Sequence, residues 1–137
     1  MRVEYLGLAD FLLIAEAVTS IRAEVLVMSA DLALADSALN APVASYGGVE
    51  AHPEFPEKVA VLGWHLCRNH PLIDGNKRVA YLAMREFAAR NGIEWWPPPA
   101  DGPDGEETAK VMWDLAAGRL SVEELTAWVA DRLGRAP

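Results

Sequence analysis

The chain has a single cysteine, Cys67. No intrachain disulfide can form, and one thiol cannot build a cysteine zinc site. Positive charge is also scarce. Twelve Lys and Arg stand against twenty Asp and Glu, for a net charge of −8. An acidic surface argues against non-specific binding to nucleic acid or to anionic membranes, which call for basic patches. Long apolar runs are missing, because acidic residues interrupt each of them, so no membrane-spanning segment is expected. The start, Met1-Arg2-Val3-Glu4-Tyr5, lacks the build of a signal peptide. These absences together predict a reduced, cytoplasmic protein. Internal repeats and low-complexity tracts are lacking too. At 137 residues, the expectation is one domain over 1–137, able to bury about two-thirds of its unfolded surface.

Helical periodicity dominates what is present. Residues 8–18 place Leu8, Phe11, Leu12 and Ala15 on one face. Residues 21–28 read as strand, helix or loop, since Ile21, Val25 and Val27 favour strand but the segment is short. A second helix is expected over 31–40, with Ser29 as a candidate cap and Pro42 as its end. Val43, Ala44 and Tyr46, then Gly47-Gly48, then Val49 read as a short β-hairpin or as a surface loop. A third helix runs from Pro53 or Pro56 to Asn69, with Val59, Leu62 and Leu66 as its buried stripe. His65, Cys67 and His70 do not make a metal set, because residues five apart on a helix do not share a face. Core packing for Cys67 and a polar contact for His65 are expected instead.

A fourth helix, residues 76–91, carries Ala80, Ala83, Met84 and Phe87 on one side. Its alanines mark it as the central helix, and Gly92 is a good left-handed terminator. Residues 93–105 read as a connector, since Pro97-Pro98-Pro99 bars helix. Trp95 and Trp96 anchor it to the core or offer a partner site. Two more helices follow, over 106–117 and 122–133. Ser121 and Glu124 form a capping box for the last, and Gly134 stops it. The fold class is all-α, with about six helices and a short hairpin.

One stretch concentrates chemistry, His70-Pro71-Leu72-Ile73-Asp74-Gly75-Asn76-Lys77-Arg78. Histidine exchanges a proton near neutral pH. Asp74 is a hard oxygen ligand of the kind Mg²⁺ prefers. Gly75 permits close approach to the backbone. Asn76 offers a donor and an acceptor. Lys77 adds a compact ammonium and Arg78 a planar fork suited to phosphate. From Asn76 onward the pattern is helical, and a helix N-terminus is a ready anion site. Base, metal ligand and phosphate cradle together suit phosphoryl or nucleotidyl transfer.

The order and spacing of these nine residues resemble the signature of the Fic/Doc family, a histidine and an apolar residue followed by acid-Gly-Asn-x-Arg. Lys77, where most Fic enzymes have glycine, is similar to the death-on-curing (Doc) branch. Tyr46-Gly47-Gly48, Arg68-Asn69, and the tail with Gly118, Ser121-Val122-Glu123-Glu124 and Trp128 extend the likeness over residues 30–134. Leu72 departs from the usual phenylalanine at the position that anchors the loop in the core.

The resemblance implies a helical fold with the active loop leading into the central helix. It implies His70 as the general base, Asp74 as the Mg²⁺ ligand, Gly75 and Asn76 as the anion cradle, and Arg78 as a phosphate clamp. Lys77 would occlude the usual phosphate pocket, so that ATP binds reversed and the γ-phosphate is transferred. Ser45, Tyr46, Gly47 and Gly48 would be the flap that docks the target. The implied function is that of a toxin that phosphorylates elongation factor Tu and is neutralised by a Phd-like antitoxin. Two other readings stand beside it: an AMP transferase in which Lys77 does not invert the nucleotide, and an inactive helical binding module. An inhibitory helix of the Fic type has its nearest match in Ser20-Ile21-Arg22-Ala23-Glu24-Val25. That segment lacks the final Gly or Asn, which points to control by a separate partner.

Overall fold

Hydrophobic periodicity becomes seven α-helices in a computed structural model that describes residues 2–135. Met1, Ala136 and Pro137 lie outside the described part. The order is α1 (Leu8–Thr19), α2 (Ala23–Ser29), α3 (Leu32–Asn40), a 3₁₀ turn over Ala41–Val43, β1 (Ser45–Tyr46), β2 (Val49–Glu50), α4 (Phe55–Asn69), α5 (Asn76–Arg90), β3 (Ile93–Trp95), α6 (Glu106–Ala116), α7 (Val122–Arg132) and β4 (Leu133–Arg135). The class is all-α, as expected, with one helix more than the periodicity indicated. The addition is α2, the segment that read three ways. Its β-branched residues have no strand to pair with, and Leu26 is buried as α2 folds back on α1. Propensity yields here to packing.

The cap of α3 also differs from expectation. Asp31, not Ser29, occupies it, and its Oδ1 accepts from Leu34 N at 3.0 Å. Ser29 is instead the last residue of α2. Pro42 does not end the segment outright but sits inside the 3₁₀ turn that extends it.

The central element is α4 rather than α5. It packs on α3, α5, α6, α7 and the 3₁₀ turn, and Val59, Ala60, Leu62, Leu66 and Cys67 are buried on it. Gly63 lets α5 come close, since a Cβ there would collide with the buried Met84 side chain. That close approach sets the two helices that flank the reactive loop.

Lys58, on the same helix, is only 2% exposed. Its ammonium donates to Glu50 Oε1 at 2.9 Å and to Pro42 O at 3.3 Å. Burial works against the charge, but Glu50 and the Tyr5 hydroxyl outweigh it and hold the Lys58 pKa above its ordinary value. A buried ammonium is tolerated only when so partnered, and these partners tie the hairpin to the body.

The connector after α5 is not structureless. β3 pairs antiparallel with β4, Trp95 opposite Leu133 and Glu94 opposite Gly134. Gly134 therefore does more than stop α7. It is a strand residue, and any Cβ on it would strike the Trp96 indole. Trp95 anchors the connector, with its ring edge-on to Tyr81 and Trp128, while Trp96 is half exposed. Among the described residues no helix is long and apolar enough to cross a membrane.

Candidate active site

The reactive loop leaves α4 at a sharp corner. His70 caps α4 in the left-handed region, φ 50° and ψ 55°. A non-glycine residue held there carries backbone strain of roughly 1–2 kcal/mol, and such strain collects at functional sites. The corner turns the exposed imidazole out of the helix line.

Three contacts fix the loop that follows. Leu72 is 6% exposed and plugs it into the core. Leucine thus fills the anchoring position that the signature gives to phenylalanine. Asn76 clasps Leu72 from both sides, accepting from its N–H at 2.9 Å and donating to its carbonyl at 2.8 Å. Pro71 O accepts from Asp31 N at 2.8 Å, which pins the loop to the start of α3.

The Asn76 amide is therefore committed to the loop, and what it offers an anion is its backbone N–H. The same amide nitrogen lies 3.4 Å from His70 Nδ1, and because it can only donate, the contact is a long hydrogen bond when Nδ1 is the unprotonated ring nitrogen. Asp74 is exposed, and its Oδ1 accepts from Gly75 N at 2.8 Å.

Gly75 caps α5 with φ 88°, and a Cβ there would press on Val18 and Thr19 at the end of α1. Glycine is needed both for the turn and for the approach. Beyond it α5 begins with no side-chain cap on its first turn. Its leading N–H groups have no partner within the helix and point, with the positive end of the dipole, to the loop side.

Loop and helix start wall a cavity of about 570 Å³. His70, Asp74, Gly75, Asn76, Lys77 and Arg78 all border it. Every residue singled out within the nine-residue stretch is thus brought to one place. The volume suits a nucleotide-sized ligand. The far wall is the α1–α2 corner, including Ile21 and Leu26, which sequence reasoning did not place there. No chemical group marks those residues, and only the packing of α2 reveals their role.

The hairpin is a different case. Ser45 pairs with Glu50 and Tyr46 with Val49, and Gly47 and Gly48 both take positive φ in the turn. None of the four flap residues borders the cavity. The hairpin stands out from the body, with Tyr46 76% and Val49 70% exposed.

The cysteine and histidine of α4 stay apart from this chemistry. Cys67 is buried and free. Burial pushes its thiol pKa up, against a smaller opposing pull from Lys77 and Arg68, which keeps it un-ionised and inert at neutral pH. His65 meets the edge of the Trp64 ring rather than a polar partner. Burial, with His52 nearby, holds its pKa below the ordinary value. No cluster of three or more metal-ligating side chains exists among the described residues.

With this geometry in hand, the comparison with known sequences is direct. Residues 8–88 match the profile of the Fic/DOC family. The chain belongs to that family. It is also 44% identical over 100 residues to the protein named Toxin Doc of Mycolicibacterium smegmatis, across 73% of this chain and 74% of that one. The matched family region runs from α1 through most of α5. It includes the whole cavity wall just described, the α1–α2 corner as well as the loop.

Proposed function

We propose that this chain is a toxin of the Fic/Doc type that phosphorylates a Ser or Thr hydroxyl on a translation factor such as elongation factor Tu, using ATP and Mg²⁺. One observation carries the reading. A base, a carboxylate and an uncapped helix start with two cations converge on a single nucleotide-sized cavity. The family membership and the similarity to a protein named as a toxin support it.

The steps follow from the residues. The first-turn N–H groups of α5 and the Arg78 guanidinium hold the phosphates. His70 takes the proton as the target oxygen bonds to the γ-phosphorus. The bond from that phosphorus to the β–γ bridging oxygen breaks, and ADP leaves with the electron pair. The donor set fits Mg²⁺, which is usually bound through one or two carboxylates plus substrate phosphates, and Asp74 supplies an exposed carboxylate. When bound, the cation neutralises charge on the phosphates. Asp74→Asn keeps the side-chain shape and removes its charge. Calorimetry should then show nucleotide binding that has lost most of its Mg²⁺ enhancement, and an unchanged enhancement would place the ligand elsewhere.

The hairpin is assigned to the target. Its exposed edge can pair with an extended segment through the backbone, which tolerates varied side chains. Val49→Pro removes a donor from β2. Modification of the protein target should fall sharply while ATP binding survives, and equal losses of both would mean global damage. The cognate antitoxin, of the Phd-like kind, is assigned to the cavity mouth. Ile73, which borders the cavity and is 87% exposed, is apolar surface there for it to cover, which hydrogen exchange on the complex would register.

The deciding experiment is intact-mass analysis of elongation factor Tu after incubation with this protein, ATP and Mg²⁺. A phosphate adduct supports the kinase reading. An AMP adduct supports the adenylyl-transfer alternative. No adduct, with no Mg²⁺-dependent nucleotide binding, leaves an inactive binding module.

A further inference from the structure

A second cavity, of about 370 Å³, opens on the other side of the first turn of α5. Lys77 and Arg78 border both cavities, so their side chains form the sill between them. The far wall of the second cavity is α6, including Trp113. Lys77 Nζ lies 4.7 Å from the centroid of the Trp113 indole. Among the described residues no carboxylate lies within ion-pairing distance of it, whereas the neighbouring Lys110 and Arg119 both pair with Asp114. The indole is thus the group that the ammonium touches. Trp113 itself is 64% exposed, so filling the core does not account for so large a side chain at this position. A lysine stem has four rotatable carbons and would otherwise sweep a wide arc, and an indole face is the best ring for a cation.

We propose that Trp113 is the positioning residue for Lys77. Its ring holds the ammonium on the sill, on the side away from His70, so that a polyphosphate is stopped there and kept within the first cavity. This rests on the phosphotransfer reading and adds to it the residue that keeps the lysine in register. Without the indole, the ammonium moves freely and phosphates can pass the sill.

The test uses Trp113→Leu and Trp113→Phe, with two readouts. The first is the proton resonance of the Lys77 ε-methylene. It should be shifted upfield by the ring current in the wild type and in Trp113→Phe, and should return to the free-lysine position in Trp113→Leu. The second is steady-state transfer to elongation factor Tu from ATP and Mg²⁺, with the adduct identified by intact mass. A cation–π contact at an exposed site corresponds to about a two- to five-fold effect. Trp113→Leu should lower kcat for phosphate transfer by about that factor, with AMP adduct appearing, and Trp113→Phe should restore most of the loss. A wild-type resonance at the free-lysine position overturns the proposal. So does a Trp113→Leu protein with wild-type kcat and phosphate as its sole adduct. If the wild type transfers no phosphate, the phosphotransfer reading fails, and the orienting role of Trp113 is overturned with it. The resonance then still reports separately where the ammonium is held.

Discussion

A His70→Ala protein should remain folded and lose the proposed phosphate transfer and the growth arrest that would follow from it. The imidazole is exposed at the end of α4, so truncating it opens no cavity in the core. The left-handed backbone at this position is strained with either side chain, so the substitution leaves that strain in place. What disappears is the proposed proton acceptor beside the proposed phosphate site. General base catalysis is typically worth ~10²–10⁴-fold in rate, and a loss of that order should be visible both as transfer to the target and as growth arrest. Nucleotide binding should be nearly unchanged, because the helix start, Asp74 and Arg78 remain. Circular dichroism and urea denaturation would establish that the variant is folded. A folded His70→Ala protein that still arrests growth at the wild-type dose would rule His70 out as the base.

The reactive loop was legible in the sequence because most of its residues carry a reactive group or a special backbone freedom. His70, Asp74, Gly75, Lys77 and Arg78 stand within one short run, and one run of chain closing onto one helix start leaves few other arrangements. The clasp of Asn76 on Leu72 was not legible. An asparagine before a helix suggests a donor to a ligand as readily as a brace for its own loop, and only the three-dimensional turn decides. The wall formed by Ile21 and Leu26 was hidden for a related reason. A seven-residue segment is too short for its periodicity to separate helix from strand, so the cavity's second side could not be drawn.

The pairing of β3 with β4 joins segments about forty residues apart. Two three-residue strands carry too little alternation to announce themselves, and the glycine within β4 looked like a helix stop because glycine usually is one there. The long helices α4 and α5 gave no such trouble, since a stripe that repeats over several turns leaves little room for another reading.

Lys77 separates the two enzymatic readings, and Lys77→Gly should produce the larger change in reaction outcome. The side chain now lies on the sill between cavities of about 570 and 370 Å³, in contact with Trp113. In the proposed reaction, a triphosphate entering from the His70 side would meet this ammonium next to Arg78. Positive charge at that end favours an orientation in which the γ-phosphate faces the target hydroxyl. Glycine removes one charge and the whole stem, and the two cavities join. The triphosphate can then extend past the first turn of α5 and bring its α-phosphate to the position that the γ-phosphate held. His70 and the helix start remain, so chemistry at that position stays possible. Phosphate transfer should be lost, and weak AMP transfer should appear. A glycine at the second position of α5 costs up to about 1 kcal/mol in helix propensity, too little to unfold a domain whose stability is typically ~5–15 kcal/mol, so the change in product can be read on folded protein. Intact-mass analysis of the modified target separates the outcomes, because phosphate and AMP adducts differ greatly in mass. A wild-type protein that adds AMP and never a bare phosphate would end the kinase reading, and Lys77 would then be a surface lysine resting on a tryptophan.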